Sequence, residues 1–282
     1  MMASTPAQAL ERFERTSDDD LAITFFYEGL TPRQHPSAIL RVLGDELKGA
    51  SDCPPRIMPL WLAKAAGPLF NARVQKGVEI FPEGAAKAWG LKFYGELKRL
   101  DGKIPFSVIH DWHANTIGPM VVKFSERAEP NPWSGVDRPV ALQALHAAAL
   151  AGRQVAADEW RPVLRDAFSH IHAGGRIGPA VTAAGRYTLD ETIAMTADAY
   201  AGAYASADAD AFAHAHWDDG GGLDTYAELA VSAYRIIQNH AQLLADPDPN
   251  YDRYNYLGAK SACIALAHFA DGLVACLARV AP

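Results

Sequence analysis

Two stretches of this chain carry one seven-residue pattern. Asp166-Ala-Phe-Ser-His-Ile-His172 returns 44 positions later as Asp210-Ala-Phe-Ala-His-Ala-His216. Residues four apart share a helix face, so Asp166 stands beside His170 and Asp210 beside His214. Near the C-terminus, His268 and Asp271 have helical spacing too. Carboxylate and imidazole are the donor types that hold iron, manganese or zinc inside helical bundles. A divalent metal bound by Asp166, His170, Asp210, His214, His268 and Asp271 is therefore one expectation, with His146 facing the same polar centre. His-x-His on a helix turns its two rings about 200° apart, so His214 and His216 cannot share one ion unless the helix ends between them. The Glu-x-x-His element of di-iron bundles is missing from the chain. The competing reading makes these residues solvated i,i+4 pairs or core histidines with a hydrogen-bond partner.

A second group is His110-Asp111-Trp112-His113. Imidazole beside carboxylate is suited to acid–base catalysis near neutral pH. The prolines at 105 and 119 place the group in a loop between two short strands, where functional side chains gather. The alternative is a structural loop whose polar groups satisfy local backbone. Asp218-Asp-Gly-Gly-Gly-Leu-Asp224 lacks the ligand spacing of an EF-hand and reads as a helix stop followed by a cap. Gly174-Gly-Arg-Ile-Gly178 matches no phosphate loop. The chain has no nucleophile elbow and no zinc-protease motif.

The elements that must position these residues are mostly helical. The expected class is mainly α, with an alanine-rich helical bundle in the C-terminal half. The N-terminal half reads as helical with two short strands, at 104–109 and 120–124. Proline and glycine in Glu129-Pro-Asn-Pro-Trp-Ser-Gly-Val136 mark a linker, which divides the chain into regions 1–135 and 136–282. Thr188-Leu-Asp-Glu191 is a capping box. It opens a helix expected to run to Trp217, with Ile193, Tyr200 and Tyr204 on one stripe and His214 at its inner edge. Tyr251-Asp-Arg-Tyr-Asn-Tyr256 reads as a turn before the last helix, and tyrosine with arginine there suits a partner surface.

Charge narrows the partners. Residues 140–282 hold 9 basic and 16 acidic side chains, which accounts for the whole net charge of −7. Such a surface repels phosphate backbones and favours a basic partner, so nucleic acid is not expected. Three widely spaced cysteines argue against a disulfide framework. No basic region followed by an apolar run opens the chain, and no long charge-free apolar window is evident, so a cytoplasmic protein without a membrane span is expected. Two functions follow. One is a non-catalytic protein that binds another protein, as an inhibitor or immunity protein does. The other is a metal-dependent enzyme with Asp and His ligands inside the bundle. A weaker third places acid–base chemistry at His110, Asp111 and His113.

Overall fold

The computed structural model describes residues 2–22, 37–74, 80–125, 138–173, 188–215 and 251–282. Twelve α-helices lie among them. These are α1 (Pro6–Arg15), α2 (Asp18–Ala22), α3 (Ala38–Arg41), α4 (Leu60–Asn71), α5 (Ala85–Arg99) and α6 (Ser107–Trp112). Then follow α7 (Gly118–Ser125), α8 (Arg138–Leu150), α9 (Ala157–Ala173), α10 (Leu189–Ser206), α11 (Ala209–Ala215) and α12 (Tyr251–Arg279).

The described residues contain no β-strand. Of the two expected strands, 104–109 is a non-helical 104–106 followed by the start of α6, and 120–124 lies inside α7. Between these helices His113–Ile117 is a π-helix, so one continuous helical rod runs from Ser107 to Ser125. Two facts explain the difference. Val108, Ile109, His110, Asp111 and Trp112 are buried on every side of α6, which erases the helical periodicity of hydrophobicity. Pro119 does not end a strand; it is the second residue of α7. A proline ring crowds the carbonyl four residues back, and widening to a π-helix just before it relieves that clash. The Gly118 N–H accordingly donates to the carbonyl of His113, five residues earlier. Gln143 Nε2 on α8 satisfies the Ala114 carbonyl at 2.9 Å.

Trp89, Phe93, Tyr94 and Leu97 form the buried face of α5. The expected capping box holds, with Thr188 and Glu191 completing it at the start of α10. The helix that follows is shorter than expected. Ala207 takes a left-handed φ of 52°, and Asp208 Oδ1 accepts from the backbone N–H groups of Asp210 and Ala211 at 2.9 Å each. Asp208 thus ends α10 and caps α11. The tyrosine-bearing stretch from Tyr251 is the start of α12 rather than a turn, and its side chains lie outside the described residues.

α12 ties the fold together. Lys260–Arg279 has a mean hydropathy of 1.7 and is, by length and composition, apolar enough to cross a membrane. Half of it is buried inside this fold, as a core helix of a bundle is. Phe269, Leu273, Cys276 and Leu277 are fully buried, and α12 packs on α4, α5 and α6. Its backbone is held by three side chains. Trp112 Nε1 donates to the Phe269 carbonyl at 2.9 Å, and Arg73 Nη2 donates to the Ala267 carbonyl at 2.9 Å. Arg99 donates to the last carbonyls, Leu277 and Val280, at 2.7 and 2.8 Å, where a cation also favours the helix dipole.

Close approach is required at two glycines. A Cβ on Gly272 of α12 would lie 2.3 Å from Thr116 in the π-helix, and one on Gly90 of α5 would lie 2.1 Å from the buried Phe13 ring. Gly90→Ala gains about 1 kcal/mol of helix propensity. The Phe13 ring is enclosed by Phe70 and Tyr94 and has little room to retreat. We expect overpacking to win, with a net loss of about 2 kcal/mol read as a lower urea midpoint. An unchanged or raised midpoint would show that α1 shifts freely on α5.

Candidate functional site

The rod from Ser107 to Ser125 carries His110 and His113 on one side, because residues three apart share a helix face. Both point into the molecule, where His146 of α8 meets them. His110 is 6% exposed, His113 0% and His146 1%. The rings of His113 and His146 stack with centroids 4.5 Å apart and planes 21° apart. His110 Nδ1 lies 3.0 Å from His146 Nδ1. Trp160 of α9 stacks on His110 at 5.8 Å, with planes 9° apart. Tyr204 of α10 meets His146 edge-on at 4.8 Å, and Phe212 of α11 meets His113 edge-on at 6.4 Å. Phe106 closes the His110 side at 5.1 Å. Five helical segments therefore converge on three imidazoles.

Hydrogen bonding fixes where the protons sit. A carbonyl only accepts, so His113 Nδ1 donates to the Ile109 carbonyl at 2.8 Å. Between His110 and His146 one Nδ1 donates and the other accepts, so the two rings are opposite tautomers. His146 Nε2 is buried and has no partner among the described residues. A buried N–H without a partner is rarer than an unpaired acceptor. His146 therefore donates from Nδ1, and its Nε2 is a bare lone pair. His110 accepts at Nδ1 and carries its proton on Nε2. Burial, and then the nearby His113, push His110 from 6.5 down to about 4. Burial, His113 and His110 push His146 well below its ordinary value.

Asp111 does not join these rings. Its two oxygens accept from Arg279 Nε and Nη2 of α12 at 2.9 and 2.8 Å, and Oδ1 also accepts from Asn115 at 2.7 Å. Burial alone would raise its pKa, but the hydrogen bonds and charge of Arg279 and Asn115 outweigh it and hold the carboxyl below 3.8. His110, Asp111 and His113 thus lie on a helix and not in a loop. The structure brings the two histidines together and engages the carboxylate elsewhere.

The metal expectation is corrected. Asp166, Asp210, His214, His268 and Asp271 all have exposed side chains, and the His170 side chain lies outside the described residues, as do His172 and His216. Asp271 is paired with Arg73 at 2.7 Å. Among the described residues no group of three His, Cys, Asp or Glu side chains could hold a metal ion. The iron, manganese or zinc site read from the twin heptapeptides is therefore absent there. His214 falls on the solvent side because the break at Ala207 rotates α11 relative to α10. The three cysteines are buried and in no disulfide, and burial raises Cys53 and Cys276 to about 12 and Cys263 to about 11, which keeps them as thiols.

Sequence reasoning missed the partners of the cluster, namely Phe106, Trp160, Tyr204 and Phe212. One signal was available: the i,i+3 spacing of His110 and His113 places both on one face if the segment is helical. No protein-family model matches this chain, and no curated protein and no solved structure matches it.

Removing Arg279 leaves the buried Asp111 carboxylate with Asn115 and the Cys276 thiol as its side-chain partners among the described residues. Arg279→Met is expected to cost about 1.5–3 kcal/mol in urea unfolding at pH 7. The double variant Asp111→Asn, Arg279→Met should lose less than the sum of the two singles. Additive losses would mean that the pair is not coupled.

Proposed function

We propose that this protein is a non-catalytic helical binder that acts on a partner protein through the outer face of α8. The supporting observation is the chemistry of that face. Val140, Ala144, Ala147 and Ala151 recur at i, i+4, i+7 and i+11 on one exposed stripe, with Leu150 at its flank. No charged side chain occurs between Arg138 and Arg153. Val140 at 49% and Leu150 at 38% are two of the three large hydrophobics exposed among the described residues. An apolar stripe with solvent-facing aliphatic groups is a feature of docking surfaces.

The occupant we commit to is an amphipathic helix of a basic protein. Small side chains at 144, 147 and 151 allow a second helix to approach closely. Residues 140–282, the region of the sequence that contains α8, carry the net −7, which attracts basic residues flanking the apolar face of such a helix. An acidic inhibitor or immunity-like protein works in this way. Three cysteines outside any disulfide fit a reducing compartment such as the cytoplasm. The buried imidazoles favour this reading over acid–base catalysis, because they are packed against aromatic rings and against one another.

The test is a photo-crosslinking residue at position 147, with the same residue at the exposed Lys92 of α5 as reference. We expect a partner captured from 147 and not from 92. The purified partner should then bind Val140→Glu, Ala147→Glu about tenfold or more weakly than the native protein, since a charge would be buried in the contact. Equal capture at both positions, capture of this chain alone, or unchanged affinity of the double variant would each contradict the proposal.

A further inference from the structure

The buried side of α8 carries a titratable group, His146, and it faces two others. We propose that the His110–His146 pair is an acid-sensitive latch that seats α8 against α6 and α10 and releases it on protonation. The geometry supports this without reference to any partner. The pair is joined by a single hydrogen bond between two Nδ1 atoms 3.0 Å apart. That bond exists only while one of the two nitrogens is bare.

Adding one proton already strains the arrangement. If His110 gains it, His110 donates from Nδ1, and His146 must accept there and carry its proton on Nε2. That places an N–H donor at a buried position that has no partner among the described residues. If His146 gains the proton, the same Nε2–H is buried and charged as well. Adding a second proton sets two N–H groups against each other. The lone pair now at His146 Nε2 tolerates burial, and a donor or cation there does not.

The described surroundings offer no compensation. Among the described residues no carboxylate contributes to the environment of His110 or His146. On α6 the nearest one, Asp111, is committed to Arg279 and Asn115. α8 itself has no other ionisable group after Arg138. From α9 the cluster meets neutral Trp160, while Asp158, Glu159 and Arg161 are held in ion pairs at the surface. From α10 and α11 it meets Tyr204 and Phe212, with Tyr200 behind Phe212 and Asp210 and His214 turned to solvent. On α4 the Lys64 ammonium donates to the Ala213 carbonyl at 2.8 Å, a like charge close to the same layer. On α12 the Cys276 thiol faces Arg279. The adjacent His113 adds a further imidazole.

The sign follows from linkage. Both folded pKa values lie below the 6.5 of a free histidine, so the released state binds more protons. The latch is at full strength above about pH 6.5 and weakens as the pH falls toward about 4. In that window each histidine raises the opening equilibrium by up to about tenfold per pH unit. Asp111 titrates below 3.8 and does not contribute there.

Hydrogen exchange of the native chain, corrected for intrinsic rates, tests this between pH 7.5 and 5.0. Peptides from α8 are compared with peptides from α5, which contains no histidine. We expect α8 to lose protection about tenfold or more beyond α5. In His110→Phe and in His146→Phe the extra loss should be reduced or abolished. Equal loss in both helices, no loss in either, or the same α8-specific loss in whichever variants fold would overturn the proposal. The native comparison alone is decisive if neither variant folds.

Discussion

A hydrogen bond between two neutral imidazoles, closed off from water, is the contact around which the second half of this fold is arranged. It requires opposite tautomers of His110 and His146, and it requires that neither ring be charged. The aromatic walls supplied by Trp160, Tyr204, Phe212 and Phe106 make both requirements stringent. In such surroundings an unpaired donor is expensive and a charge more so. The bond therefore specifies how α6, α8, α9, α10 and α11 meet rather than merely adding to their burial.

The π-helix at His113–Ile117 serves the same end. It turns His113 so that its Nδ1 reaches the Ile109 carbonyl while its ring stacks on His146. Gln143, on the helix that carries His146, closes the backbone account at Ala114. Thr116 of the same segment fits against Gly272, where any larger residue would collide. One rod thus meets α8 through its imidazoles and α12 through Thr116, Trp112 and Asp111. Helix α8 in turn has two unlike faces. The inner one presents His146 and Leu142 to the core, and the outer one presents aliphatic groups to solvent without a charge.

Much of the helical framework is legible in the sequence, because it follows from local rules. The capping box at Thr188 and Glu191 marks the start of α10, and the aromatic spacing of Trp89, Phe93 and Tyr94 marks α5. The strands expected at 104–109 and 120–124 fail for a physical reason. Periodicity reports a helix only when one face meets water, and α6 has no such face. Proline commonly bounds a strand, whereas at 119 it stands inside a helix that widens just before it. The metal site fails for another reason. Four-residue spacing shows that Asp210 and His214 share a face, but not which face. A single left-handed residue at Ala207 decides that they look outward. His146 was legible as an inward group from its stripe with Leu142. That its partners are His110 and His113 is tertiary information, and no local pattern carries it.

The most direct test of this account is the protonation of the imidazole nitrogens, read by nitrogen-15 NMR of histidine-labelled protein at pH 7. The account predicts one proton on each ring of the pair, on Nδ1 of His146 and on Nε2 of His110, with no averaging between tautomers. A doubly protonated ring in the pair, or fast-averaged tautomers typical of solvated histidine, would contradict it.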